Sequence, residues 1–182
     1  MRAFTRHGEN LEAHFLPNEE SLLTVLITQL VELIDPLSED GPYDDLDAMV
    51  NSLADSTDDQ PIEDTALQRL FPDAYRDDRD ASRDFRRYTQ SEQAQAKTRS
   101  AATVLADIAA SHHGRVTLPP DHVDDWLTTL TNLRLVLAIR LGIEHESDTE
   151  ALSELPDDDP RTAPNSILNW CGWIQETILA NL

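Results

Sequence analysis

Apolar residues recur along the chain in two rhythms, and the rhythms divide it into elements. Over residues 11–16 they alternate with polar ones, placing Leu11, Ala13 and Phe15 on one face, the period of a half-buried strand. Paired with residues 2–7 across Gly8-Glu9-Asn10, this run predicts a β-hairpin. A hairpin is marginally stable alone, so a helix must cover it. From Pro17 the spacing changes to three and four. Leu22, Leu23, Leu26, Ile27, Leu30, Val31, Leu33 and Ile34 leave only a narrow polar strip, which predicts a nearly all-round apolar helix, mostly buried in the core. Asn18 is its expected N-cap, Glu19 and Glu20 complement the helix dipole, and Asp35-Pro36 ends it.

An acidic loop over 35–45 leads to a predicted short helix at 45–54, carried by Leu46, Met49, Val50 and Leu53. The polar run 55–61 separates it from another short helix at 64–71, stopped by Phe71-Pro72. After a turn at Asp73-Ala-Tyr-Arg76 and a charged helix near 79–88, Thr89-Gln-Ser-Glu92 matches a capping box. A second long helix is therefore expected to start there and run to Ala110 on a face of Ala94, Ala101, Val104, Leu105 and Ile108. Arg115–Leu118 reads as a short strand, and Pro119-Pro120-Asp121 opens a third long helix bearing Val123, Trp126, Leu127, Leu130, Leu133, Leu137 and Leu141. Leu16-Pro17 and Leu118-Pro119 hold equivalent places before their helices, which puts both strands in one sheet and both helices in the core. A linker over 144–163 precedes a last helix at 165–180, with Ile167, Trp170, Cys171, Ile174 and Ile178 on one face and Trp173 off that stripe. The pattern thus predicts a mainly α fold: a multi-helix orthogonal bundle with a small N-terminal β-hairpin and one further short strand, as a single domain over 1–182.

Composition agrees and adds charge. The 182 residues are 40% hydrophobic, enough for one continuous core. The net charge of −21 is unevenly placed: residues 7–68 hold 16 acids and no Lys or Arg, and residues 69–99 hold 8 bases against 6 acids. From residue 100 onward the balance is 4 against 13. Such a surface repels a nucleic-acid backbone overall. The acidity reads as solubility or a salt-adapted host, or else as a face for a basic protein partner. The charged N-terminus and the absence of any apolar run near ~20 residues predict a cytoplasmic protein with no membrane span.

No catalytic, cofactor-binding or metal-binding residues emerge. His112-His113 and His122 are the nearest approach to a metal cluster, but adjacent histidines point apart and read as a solvated helix end. Asp157-Asp158-Asp159 lacks the spacing of a calcium loop and reads as exposed linker. The single cysteine, Cys171, sits between two tryptophans and reads as a small hydrophobe; the alternative is a redox-responsive thiol. Trp170 is expected in the core, whereas Trp173, if exposed, is a candidate binding anchor. Arg79, Arg83, Arg86 and Arg87 lie near helical spacing and either dock on the protein's own acids or offer a cationic patch. Arg134 and Arg140 interrupt an apolar helix and, if buried, call for Asp or Glu partners.

Three blocks carry a family likeness. They are Leu70-Phe-Pro-Asp-Ala-Tyr-Arg76 with Asp84-Phe-Arg-Arg87; Ala101-Ala-Thr-Val-Leu105 with Asn132-Leu-Arg-Leu-Val-Leu-Ala-Ile-Arg-Leu-Gly142; and Asn169-Trp-Cys-Gly-Trp-Ile-Gln-Glu176. In order and spacing the chain resembles the actinobacterial domain-of-unknown-function family numbered two thousand and seventeen. The resemblance implies an all-helical regulator or adaptor, encoded beside the protease adaptor of the Clp system, and brings no catalytic residues with it. The expected function is a non-enzymatic regulatory or adaptor protein, contacting transcription or proteolysis machinery and able to homodimerise. A stress- or redox-responsive transcriptional regulator is the alternative, and an enzyme of unknown type comes third.

Overall fold

The alternation at Leu11 and Ala13 becomes the inner face of a three-stranded antiparallel sheet, with Phe15 buried just beyond the strand. In the computed structural model, residues 1–38, 64–72, 74, 79–156 and 158–182 are described, with backbone alone at 79–84, 86–88 and 146. Strand β1 (Arg2–His7) pairs with β2 (Asn10–His14) across Gly8 and Glu9, and β2 pairs with β3 (Arg115–Leu118). Gly8 has φ +65°, the left-handed turn conformation that glycine enters without steric cost. Leu11 lies opposite Leu118 and Ala13 opposite Val116, so both strands that precede a Leu-Pro pair do share one sheet.

Helix α1 (Pro17–Ile34) follows β2 directly. Its N-cap is Leu16 rather than the expected Asn18. Pro17 supplies the first helical position, and the Glu19 carboxylate reaches back to accept the Leu16 N–H at 2.7 Å. Nor is the helix apolar-buried nearly all round. Leu23, Ile27, Leu30 and Ile34 are buried, while Val25 on the other side is 52% exposed. An outer-layer helix has partners on one side only, so breadth of the apolar stripe overstated its burial.

Short α2 (Thr65–Leu70) is capped by Asp64, whose carboxylate accepts the Ala66 N–H at 2.7 Å and binds Arg140 Nη2 at 2.6 Å. Arg140 is exposed, so the acidic partner that burial would have demanded is here a surface ion pair. Helix α3 (Arg79–Ala109) runs unbroken for 31 residues. The capping box expected at Thr89 does not form: the hydroxyl bonds the Phe85 carbonyl one turn back, at 2.9 Å, as a mid-helix threonine does. A capping sequence caps only where the chain upstream leaves the helix, and here it does not.

A 3-10 turn at Pro120–His122 leads into α4 (Val123–Arg140), the central helix. The stretch expected as pure linker at 144–163 contains α5 (Glu146–Ser153). Asp148 turns it on, its carboxylate accepting the N–H groups of Glu144 and His145 at 2.9 and 2.8 Å. Helix α6 (Thr162–Leu179) closes the fold, packing on α4 and β1. The fold is mainly helical, with six α-helices among the described residues and the small sheet at one end. The expected helix at 45–54, the loops beyond Ser38 and at 55–61, Tyr75-Arg76 and Asp157 lie outside the described residues.

Aromatic side chains join the layers. Trp126 of α4 meets Phe4 edge-on at 5.5 Å, Phe4 meets Phe15 at 6.3 Å, and Phe15 meets Trp170 of α6 at 6.3 Å. Asn181 Nδ2 donates to the Phe4 carbonyl at 3.0 Å and the Phe4 N–H reaches Thr177 Oγ1 at 3.4 Å. The end of α6 thus occupies backbone groups of an edge strand that would otherwise remain open to pairing.

Candidate interaction surface

Helix α6 carries three of the residues singled out by the sequence, and packing separates them. Cys171, Ile174 and Ile178 are buried. Trp170, one position before Cys171, is partly buried against the core and holds the Phe15 contact. Trp173 turns outward and is 38% exposed, with Asn169 and Glu176 also exposed on that helix. The condition set for Trp173 as an anchor, exposure, is met.

What holds this helix in place is a polar tie invisible to hydrophobic periodicity. Buried Gln175 donates from Nε2 to the Leu127 carbonyl at 3.1 Å and to Thr131 Oγ1 at 2.8 Å, and its Oε1 accepts from Arg134 Nη1 at 2.7 Å. All of its chief hydrogen-bonding groups are therefore spent on α4. Arg134 is exposed and takes Gln175, not the Asp or Glu expected had it been buried. Its guanidinium lies across Gly172, where a Cβ would stand 3.4 Å from Cζ. The sequence signal for Gln175 was its place one residue after Ile174, at the margin of the apolar stripe.

Cys171 is wholly buried, and desolvation pushes its thiol up to about 11, the nearby Arg134 charge notwithstanding. A thiol so held is almost entirely protonated at neutral pH and a poor nucleophile. In the folded protein, Cys171 is expected to stay unmodified by peroxide or maleimide at pH 7 and to react within minutes once urea unfolds the chain. Intact-mass measurement checks this; rapid native labelling would restore the redox reading.

The four arginines belong to a different element. Arg79, Arg83, Arg86 and Arg87 fall in the first part of α3, before Ala94, the first residue of that helix described as buried. Helix α3 packs chiefly on α1 and α4, whereas α6 packs on α4 and β1. The histidines likewise do not converge. His112 and His113 are exposed at the turn after α3, His113 with φ 56°, whereas His122 pairs with Asp107. Among the described residues no group of three metal-ligating side chains comes together.

Asp107 is the organising residue the sequence did not single out. Its carboxylate accepts Trp126 Nε1 at 2.9 Å and His122 Nδ1 at 3.0 Å. A carboxylate only accepts, so the His122 proton sits on Nδ1. The cluster clasps the end of α3 to the start of α4.

Family comparison agrees with the architecture. The model of the family described as Domain of unknown function (DUF2017) matches residues 1–182, and the chain belongs to that family. No curated protein and no solved structure matches it. No helix among the described residues is long and apolar enough to cross a membrane.

Proposed function

We propose that this family member is a non-enzymatic regulatory or adaptor protein that works by binding another protein through the outer face of α6. The observation that carries the reading is Trp173: a large aromatic, 38% exposed, on a helix whose other side is locked by Cys171, Ile174, Ile178 and the Gln175 tie. A rigid exposed indole offers contact area at little entropic cost, the common chemistry of an interface anchor. The net charge of −21 selects a basic partner by long-range attraction. The family resemblance directs the search to the transcription or proteolysis machinery of an actinobacterial host. Self-association through the same helix is a second use of the surface.

Affinity purification from the native host, run with the wild type and Trp173→Ala, tests the proposal. The wild type should retain a specific basic protein that high salt weakens, and Trp173→Ala should bind it about tenfold less tightly with an unchanged melting temperature. Equal binding by both proteins would remove α6 as the contact surface. Sedimentation at high concentration separately decides self-association.

A further inference from the structure

The chain contains one lysine, Lys97, against thirteen arginines. It lies on α3 where Phe71 and α4 meet that helix, and burial alone lowers the pKa of its amine. Its Nζ donates to Asn132 Oδ1 at 3.1 Å and stands 5.6 Å from the Phe71 ring centroid. Among the described residues no carboxylate pairs with it. An ammonium taken partly out of water normally recruits an anion.

The surroundings are short of acceptors in the same way. Asn132 is 3% exposed and Thr129 is fully buried, one turn apart on α4. Both Asn132 Nδ2 and Thr129 Oγ1 lack any hydrogen-bond partner. Since Lys97 can only donate, Asn132 must turn Oδ1 to it, leaving the amide N–H groups unspent. Lys97 and Asn132 thus present unused donors at one helix junction, with the unpartnered Thr129 hydroxyl one turn away on α4. Leaving such buried groups unpaired is unfavourable.

We infer that Lys97 and Asn132, backed by Thr129, form a binding site for a carboxylate. Two oxygens suit an ammonium and an amide N–H side by side, and the Phe71 ring supplies an apolar wall for a short aliphatic stem. Lysine rather than arginine fits the task, because a compact ammonium needs one acceptor where a guanidinium demands a whole planar fork.

With a single lysine, the 182-residue protein labelled with 15N-lysine gives one side-chain resonance. Titration with acetate, at constant pH and ionic strength against chloride, should shift that resonance saturably and raise the melting temperature. A capped peptide bearing one Glu, titrated in parallel, separates the two sources: tighter binding of acetate marks a free small carboxylate, tighter binding of the peptide a protein side chain. Lys97→Met keeps the stem and should bind the better probe at least about tenfold more weakly, and Thr129→Val should weaken it less. Identical behaviour in chloride and both carboxylates overturns the inference and leaves the donors to buried water. So does a melting response retained by Lys97→Met.

Discussion

Phe15→Ala is expected to destabilise the protein by about 3–5 kcal/mol, the usual cost of emptying a buried phenylalanine site. Phe15 is 1% exposed and touches Phe4 on one side and Trp170 on the other. Its removal therefore opens the seam between sheet and α6, not merely a hole in one layer. For a chain of this size the melting temperature should fall on the order of 10 °C. Trp170 fluorescence should shift red in the folded variant as its ring loses an edge-on neighbour. Phe15→Leu should recover more than half of the stability. A variant melting within two or three degrees of the wild type would mean that the seam is closed by other contacts. Because the same seam sets the position of α6, Phe15→Ala should also weaken any partner held by Trp173.

Asp107→Ala should cost about 3 kcal/mol, from two losses. Trp126 is fully buried, so its Nε1–H would be left without an acceptor in the interior. His122 would lose the carboxylate that fixes its ring at the start of α4. Asp107→Asn retains an oxygen for the indole and should lose roughly half as much. Denaturant unfolding measures both. The order Ala worse than Asn is the critical outcome, since equal losses would assign the effect to charge and not to the Trp126 hydrogen bond. Neither substitution should alter the Lys97 resonance, which belongs to the opposite end of the α3–α4 contact.

Local periodicity reported well on what is local. The hairpin, the strand at 115–118, the long helices and the inward faces of α3, α4 and α6 follow from period two and period 3.6. Where the reading failed, the deciding contact came from outside the segment. Thr89 had the residues of a cap but not an upstream break. Pro17 took the first helical position and moved the cap from Asn18 to Leu16. The helix at 146–153 was hidden among acids because its start depends on one carboxylate, Asp148, and its burial on Leu152.

The candidate sites divide the same way. Sequence alone could place Trp170, Cys171 and Trp173 on one helix and set their angular order, because α-helical geometry does that whatever surrounds it. It could also establish the acidity, which is a sum over residues and needs no fold. Only the tertiary structure decided that Trp173 faces out, that Cys171 is sealed with its thiol at about 11, and that Gln175 bridges to α4. The same holds for Lys97, an ordinary polar residue on a helix until α4 and Phe71 close over it. Exposure, proton affinity and unspent hydrogen-bonding capacity are properties of what stands opposite a side chain, and residues distant in sequence supply that opposite wall.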